Sequence, residues 1–263
     1  MAGLEDTPRW LALDGAANAR AVVPGVLLRA DNLQSLSARD VRLLIDEERL
    51  EVVLDPRTDI EVRREGPGPL TAERGVRIEH RSLYPDMADA RELDQAINPW
   101  VMRRHEQEWR EEPPAVRSYL GYLLQRPDSV IGSLRTIARS RGAVLVHCAA
   151  GKDRTGIIVA LALDAAGFDR ELIVGDFAAS SERVEAIVAR LMGSETYRDS
   201  LHPDPDRHLT PPETIERFFE IVDERFGGSV TWLTDNGFAD EDLALLRRRL
   251  GAGGGEDEAE RAA

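Results

Sequence analysis

One short segment of the chain combines a nucleophile with groups that bind anions. It runs from His147 to Gly156 and reads His-Cys-Ala-Ala-Gly-Lys-Asp-Arg-Thr-Gly. The apolar run from Ala143 to Val146 precedes it and a helical pattern follows it, so the segment joins the end of a strand to the start of a helix. Backbone N–H groups of such a loop point at one spot, and the helix dipole adds to their field. The segment therefore predicts a site for a phosphate-sized anion.

Cys148 lies in the field of those N–H groups, which should stabilise the thiolate, the form of cysteine that acts as a nucleophile. Arg154 closes the loop, and its planar guanidinium can hold two oxygens of a tetrahedral oxyanion, which a lysine cannot match in geometry. Gly151 allows the loop to curl, and the Thr155 hydroxyl should lie within reach of the sulfur. These residue types predict attack of sulfur on phosphorus, a covalent cysteinyl-phosphate, and then attack by water.

The loop residues between the cysteine and the arginine should contact the bound anion. They are Ala149, Ala150, Gly151, Lys152 and Asp153. Lys152 would add a second positive charge at the pocket. The alternative for Lys152 and Asp153 is a solvated pair on the loop surface.

The pattern His-Cys-x5-Arg-Thr resembles the signature loop of the cysteine-dependent protein tyrosine phosphatases. The fuller segment looks like the bacterial type, which includes mycobacterial secreted tyrosine and lipid phosphatases. Further motifs follow in the family's order and extend the resemblance over most of residues 10 to 250. They are Leu27–Leu33, Asp55–Glu61, Tyr84–Met87, Gly175–Phe177 and Asp240–Leu243. The chain departs from the family in reading Asp55-Pro56-Arg57 for Asp-Leu-Arg, and it lacks the Trp-Pro-Asp and Gln-rich motifs of mammalian-type members.

The resemblance implies a tyrosine-phosphatase-like fold and a phosphomonoesterase. Its implied partners are phosphotyrosine proteins or phospholipid head groups, with phosphoserine and phosphothreonine as further substrates. The lipid head groups are included because a basic loop like that of Lys152 occurs in phosphatases that accept phosphoinositides. It also implies that Asp55 and Arg57 line the pocket, with a simple ion pair as the alternative, and that His147 orients the loop. A catalytically silent phosphate-binding module is the other hypothesis, and the intact Cys148 and Arg154 favour the enzyme.

A general acid is needed to protonate the leaving oxygen, and two aspartates compete for that role. Asp86 follows the strand that contains Val76 and Ile78, and its place in the chain matches a family aspartate near the pocket. Asp153 lies inside the loop, but helix N–H groups favour its ionised form and make it a poor proton donor. We therefore prefer Asp86.

Composition excludes several other classes of protein. Lys and Arg total 34 against 48 Asp and Glu, a formal charge of −14, so we expect no broad contact with nucleic acid. The histidines show no His-Glu-x-x-His spacing and there is one cysteine, so neither a metal nor another cofactor is expected. No stretch is long and apolar enough to span a bilayer, and the first residues do not form a signal peptide. We expect a protein without integral membrane association, cytoplasmic or exported without a signal peptide.

Strand and helix patterns alternate along the first part of the chain, and helices dominate after Thr155. This order predicts an α/β fold with a central, mostly parallel sheet flanked by helices and a helical C-terminal part. Strands are expected at Val26–Leu28, Val52–Leu54, Val76–Ile78 and Ala143–Val146. Helices are expected after Ser37, between Ala115 and Ser140, and at Ile157–Ala166, Arg170–Ala179, Glu182–Met192, Pro212–Phe226 and Asp240–Leu250.

Domain organisation follows from the same patterns. Residues 1–250 should form one phosphatase domain, and residues 251–263, which are rich in Gly and Glu, a disordered acidic tail. The resemblance further implies a helical lid over the active site at about 180–210. An ordinary packed helix followed by a surface loop is the alternative.

Overall fold

A six-stranded sheet lies at the centre of the structure, a computed structural model that describes residues 8–85 and 109–251. The strands, in the spatial order β1-β2-β3-β6-β4-β5, are β1 (Arg9–Trp10), β2 (Arg20–Val23), β3 (Leu27–Ala30), β4 (Leu50–Asp55), β5 (Arg77–His80) and β6 (Ala143–His147). β1, β2 and β3 pair antiparallel, whereas β3, β6, β4 and β5 run parallel. The predicted α/β class with a mostly parallel sheet is confirmed.

The helices surround this sheet, and after β6 the described part of the chain contains helices and 3₁₀ turns without a further strand. They are α1 (Ala38–Arg42, continued by a π-helical turn at Leu43–Glu47), α2 (Asp59–Glu65), α3 (Pro114–Gln125), α4 (Pro127–Arg139), α5 (Asp153–Ala166), α6 (Arg170–Ala178), α7 (Val184–Met192), α8 (Pro212–Phe226), α9 (Ser229–Asp235) and α10 (Asp240–Leu250). Short 3₁₀ turns lie at Pro69–Ala72, Ala179–Arg183 and Pro205–His208. No helix of the described residues is both long and apolar enough to cross a membrane.

Both faces of the central strands β3, β6 and β4 are covered by apolar side chains, as parallel sheets require, whereas the edge strand β5 is mostly exposed. Along β6 the side chains alternate: Val144 and Val146 pack into the larger cluster with the C-terminal helices, and Leu145 packs into the cluster with α1. β6 is fully buried and pairs with β3 on one side and β4 on the other. The carboxyl ends of these three strands therefore meet at one edge of the sheet, where the loop after β6 lies.

The helix caps explain where several elements begin and end. Ser37 accepts a hydrogen bond from the Asp40 N–H and forms a capping box at the start of α1, as the sequence predicts. Gly167 ends α5 with φ +91°, a conformation that glycine adopts without strain. The third predicted strand begins at Arg77, not Val76, and α7 starts at Val184 after a 3₁₀ turn. β1, β2, α2 and α9 are additional elements that the sequence patterns did not predict.

Candidate active site

The signature loop, residues 148–152, connects β6 to α5 at the carboxyl edge of the sheet. Cys148 is 2% exposed, and its Sγ accepts a hydrogen bond from the Gly151 N–H at 3.2 Å. Gly151 has φ +66°, and a Cβ there would lie 2.3 Å from the Ala30 carbonyl oxygen at the end of β3. Glycine is therefore required at this position both by the backbone conformation and by the close approach of β3.

Arg154, in the first turn of α5, makes a bidentate ion pair with Glu61 of α2. Its Nη1 and Nη2 donate to the two carboxylate oxygens at 2.6 and 2.9 Å, and both side chains are buried. Burial alone would raise the pKa of Glu61, but the charge and hydrogen bonds of Arg154 outweigh it and lower that pKa. Burial likewise opposes the charge of Arg154, and Glu61 reverses this to hold the arginine pKa well above its usual value. The guanidinium is thus fixed in direction and permanently charged beside the cysteine.

Thr58 prepares Glu61 for this contact. The Thr58 N–H and hydroxyl both donate to Glu61 Oε2, at 2.8 and 3.0 Å, while the Thr58 Oγ1 accepts from the Glu61 N–H. This capping box starts α2 and at the same time aims the carboxylate. The sequence analysis did not identify Glu61 as a site residue, although the pattern Thr58-x-x-Glu61 is a readable helix-start signal.

Asp55 and Arg57 are buried and pair with each other, and neither is among the residues that line the pocket in front of Cys148. Arg57 folds back onto Asp55, with Nη2 to Oδ2 at 2.7 Å, and its backbone N–H also donates to that carboxylate. His147 Nε2 lies 3.6 Å from Asp55 Oδ2. Burial would raise the pKa of Asp55, but His147 and Arg57 hold it well below the ordinary value. The pair of Asp55 and Arg57 is the alternative named above, and the contact of Asp55 with His147 joins the ends of β4 and β6.

The pocket in front of Cys148 is lined by charged side chains and loop backbone on one side and by mostly apolar side chains on the other, which we call its floor and its apolar wall. The floor comes from the loop and from Glu61, Asp153 and Arg154. The wall comes from residues beyond the start of α7: Ile187, Val188, Leu191, Tyr197, Ser200, Leu201 and His208. Burial, and then the charge of Glu61, raise the pKa of Tyr197, so its phenol is neutral at physiological pH. The segment for which the sequence analysis expected a lid thus supplies one side of the pocket.

Lys152 is the single lysine of the chain and is almost fully buried at the pocket. Its Nζ donates a hydrogen bond to the backbone carbonyl of His208, in the 3₁₀ turn at Pro205–His208. The ammonium therefore connects the signature loop to the opposite wall. It is not a solvated surface charge, which was the alternative considered above.

Asp153 lines the pocket and accepts a hydrogen bond from the buried hydroxyl of Tyr119, on α3, at 2.5 Å. Burial, and then the Asp153 charge, hold the pKa of Tyr119 well above its ordinary value, so this tyrosine remains the donor. The Thr155 hydroxyl is buried and has no hydrogen-bond partner among residues 8–85 and 109–251. Asp86, the preferred general acid, lies outside the described residues, as do residues 252–263 of the expected acidic tail.

Comparisons with known proteins show which sequences this chain resembles. The family model described as "Tyrosine phosphatase family" matches residues 12–252. The chain is 28% identical over 275 aligned positions to the triple specificity protein phosphatase PtpB of Mycobacterium tuberculosis, covering 90% of this chain and 95% of that protein. It is 30% identical over 131 positions to a tyrosine-protein phosphatase of Nostoc commune, covering 46% of this chain and 43% of that protein.

Proposed function

The chain belongs to the tyrosine phosphatase family, and within that activity we propose that Cys148 is the nucleophile and Arg154 the oxyanion ligand of a phosphomonoesterase. The observation that carries the assignment is the ion pair of Glu61 and Arg154, which aims a buried guanidinium at the loop that holds the cysteine. An arginine fixed in this way costs no reorganisation when a phosphate arrives.

The reaction proceeds in two displacements. The Cys148 thiolate attacks phosphorus, the bond from phosphorus to the substrate oxygen breaks, and a general acid protonates that leaving oxygen. Water then attacks the cysteinyl-phosphate, giving inorganic phosphate and restoring the thiolate. In both steps Arg154 and the loop N–H groups bind the non-bridging oxygens, whose charge is largest in the transition state. The Thr155 hydroxyl, which has no hydrogen-bond partner within the described part of the chain, supplies a donor for the sulfur.

Asp86 is the proposed general acid, and Asp153 is the competitor. The hydrogen bond from Tyr119 to Asp153 supports this choice, because a donor directed at a carboxylate favours its ionised form. An ionised Asp153 has no proton to give to the leaving group. Its role would instead be to hold the first turn of α5 in place.

Residues 180–210 act as a lid in this proposal. Support comes from Leu191 and Tyr197, which line the pocket, and from the bond between Lys152 and the His208 carbonyl. Arg190 fixes α7 to the protein body through its Nε bond to Asp31 at 3.0 Å. The moving part is therefore the segment after α7. Hydrogen exchange tests this: if residues 193–208 are protected as strongly as β6 without ligand, the lid does not open.

Substrate breadth is the finer part of the proposal. The apolar wall suits the ring of phosphotyrosine, and the buried Lys152 suits a second anionic group, once it is released from His208. The mycobacterial relative is named for triple specificity, which supports a pocket that accepts phosphoserine, phosphothreonine or a phosphoinositide head group as well. Rates on phosphotyrosine, phosphothreonine and phosphoinositide substrates, compared side by side, test this breadth.

The proposed nucleophile is tested with para-nitrophenyl phosphate. Cys148→Ser should abolish turnover and leave the thermal midpoint of unfolding near that of the wild type, because serine fits the volume but is not ionised by the loop. Arg154→Lys should lower kcat by about 100-fold or more, since a point charge cannot hold two oxygens at once. Turnover in Cys148→Ser would refute the covalent mechanism.

A catalytically silent phosphate-binding module would behave differently in the same experiment. It would bind vanadate without turning over any substrate. The enzyme should be inhibited competitively by vanadate, inactivated by peroxide through oxidation of the thiolate, and fully active in chelator. Activity that depends on added metal would contradict the mechanism.

Two further expectations remain proposals. Residues up to 250 form one phosphatase domain, and limited proteolysis should yield one resistant fragment. The enzyme works in the cytoplasm or after export, and it needs no internal disulfide because Cys148 is its single cysteine. Cell fractionation with an antibody against the purified protein distinguishes the two locations.

A further inference from the structure

The carbonyl groups of the signature loop are held from behind by two buried side chains. Asn18 Nδ2 donates to the Ala150 and Gly151 carbonyl oxygens at 2.9 and 3.1 Å. Arg29 Nη2, at the end of β3, donates to the Gly151 and Lys152 carbonyl oxygens at 2.7 and 3.3 Å. Three consecutive carbonyls of the loop therefore have donors on the side away from the pocket.

Peptide geometry turns this arrangement into an effect on the N–H groups. In a trans peptide the C=O of one residue and the N–H of the next point in opposite directions. Fixing the carbonyls of residues 150–152 towards Asn18 and Arg29 therefore directs the N–H groups of residues 151–153 towards the pocket. The Gly151 N–H, which donates to Cys148 Sγ, has this orientation.

A second set of contacts fixes the two donors themselves. Asp176, on α6, accepts from Arg29 Nη1 at 2.5 Å and from Arg20 Nε at 2.9 Å. Arg20 Nη1 in turn donates to Asn18 Oδ1 at 2.6 Å, which leaves the Asn18 NH₂ facing the loop. Ser180 Oγ accepts from both Arg20 and Asn18, at 3.1 and 3.2 Å. Each donor thus has one orientation.

The charge of this cluster also favours an anion in front of it. Arg20 and Arg29 are fully buried and share one carboxylate. Burial, and then the neighbouring Arg29, lower the pKa of Arg20 to about 10, so Arg20 is still charged at neutral pH. The cluster carries a net positive charge behind Cys148. Such buried ionic groups are commonly no more stabilising than apolar packing of the same volume, which favours a role in the site over a role in stability.

We propose that Asn18 and Arg29, oriented by Arg20, Asp176 and Ser180, are positioning residues that preset the loop N–H groups for the phosphoryl oxygens and for the Cys148 thiolate. The proposal rests on the phosphatase mechanism given above and adds the residues that prepare its anion site. None of the five is among the residues that line the pocket, so in this proposal their effect passes through the loop carbonyls.

Asn18→Asp tests the proposal by replacing one atom, the Nδ2 that donates to the loop carbonyls, with an oxygen. The substitution keeps the volume and the acceptor for Arg20, but it places an oxygen against the Ala150 and Gly151 carbonyls, which repels them and turns the peptides. We expect the vanadate affinity and kcat/KM to fall by about 10- to 100-fold. This is less than the fall in rate that follows removal of a whole oxyanion donor, because the N–H groups are turned and not deleted. The pH at which iodoacetamide alkylates Cys148 should rise, because the thiolate loses its aligned donors.

Asp176→Asn and Asp242→Asn form a matched pair. Asp242, at the interface of α4 and α10, is also a buried aspartate that bridges two arginines, Arg135 and Arg139. Both variants should lose thermal stability. Only Asp176→Asn should lower the affinity for vanadate and raise the pH at which iodoacetamide alkylates Cys148. Equal effects of the two variants on vanadate binding would show that general loosening, and not positioning, is responsible.

Ser180→Ala covers the case in which the charged-cluster variants do not fold. It removes one hydroxyl and leaves every ion pair intact, so we expect a smaller fall in the thermal midpoint than in Asp176→Asn. Vanadate binding should weaken about threefold, a fraction of one hydrogen bond's contribution. Wild-type vanadate affinity and alkylation pH in Ser180→Ala or Asn18→Asp would overturn the proposal. A wild-type protein that neither binds vanadate nor turns over substrate would instead refute the phosphatase mechanism itself.

Discussion

Glu61→Gln removes the charge that faces Arg154 and changes almost nothing else. Glu61 Oε2 accepts from Arg154 and twice from Thr58, so the amide oxygen of the new side chain should occupy that position. The amide NH₂ then replaces Oε1, which lies 2.9 Å from Arg154 Nη2, and opposes one donor with another. Both side chains are buried, so the unpaired guanidinium has no solvent to compensate it.

Breaking one partner of a buried pair costs about 3 kcal/mol or more of unfolding free energy. For a chain of this size that corresponds to a fall of about 6–12 °C in the thermal midpoint. The pKa of Glu61 is lowered in the folded state, so its contribution is complete at neutral pH and is lost as the pH falls through the folded value. The difference in unfolding free energy between the variant and the wild type should therefore become smaller below about pH 4.

Vanadate distinguishes this reasoning from simple destabilisation. The oxyanion supplies the negative partner that Arg154 has lost, so saturating vanadate should close about half of the difference in thermal midpoint, by ligand linkage. The kcat value should fall by about 10- to 100-fold because the guanidinium is no longer aimed, while KM falls or stays constant. Asp242→Asn serves as the control, since vanadate should leave the difference in thermal midpoint between this variant and the wild type unchanged. A Glu61→Gln protein as stable as the wild type, or one whose midpoint difference is unchanged by vanadate, would refute the argument.

Asp86→Asn should flatten the basic limb of the pH–rate profile and lower the rate more for a phenolic phosphate than for one with a better leaving group; if only Asp153→Asn does so, Asp153 is the acid. Reductive methylation should modify Lys152 as the one lysine side chain, and vanadate should slow the reaction at that residue; an unchanged rate would place the ammonium away from the anion. Asp55→Asn should lower the thermal midpoint at neutral pH, since the pKa of this carboxyl is held well below its ordinary value. The difference in thermal midpoint between Asp55→Asn and the wild type should shrink as the pH falls towards the lowered pKa of the folded protein. A difference in midpoint that persists in acid would contradict the ion-pair account.

The chemistry of the signature loop is readable from sequence because its parts are contiguous. Cys148 and Arg154 lie within seven residues, with Cys148 directly after an apolar run that predicts a buried strand and Arg154 in the first turn of the helix that follows. A junction of this kind forms an anion site from neighbouring residues, so its residue types are readable without knowledge of the rest of the chain. The helices Pro212–Phe226 and Asp240–Leu250 have the predicted bounds for the same reason, since periodicity and end signals are local.

Helix α2 was not predicted because it is short and presents little apolar periodicity, with Ile60 and Glu61 as its buried residues. Its function depends on a residue 93 positions away, Arg154, which no local pattern can indicate. The sequence instead directed attention to Asp55 and Arg57, and these pair with each other because they are near neighbours with opposite charge at the end of one strand.

Tertiary structure alone decided which polar residues support the loop. Asn18 and Arg29 meet the loop carbonyls from 122 to 133 positions away, because β3, which carries Arg29, pairs with β6, and β2, which follows Asn18, pairs with β3. Buried polar clusters have no period along the chain, so hydrophobic periodicity does not separate Arg20 and Arg29 from the arginines on the surface. The family resemblance includes the segments that contain Arg29 and Asp176, but it gave no role to either residue. Sequence determined the reacting groups, whose geometry is local, and the packing of distant strands and helices determined the direction in which each of those groups is held.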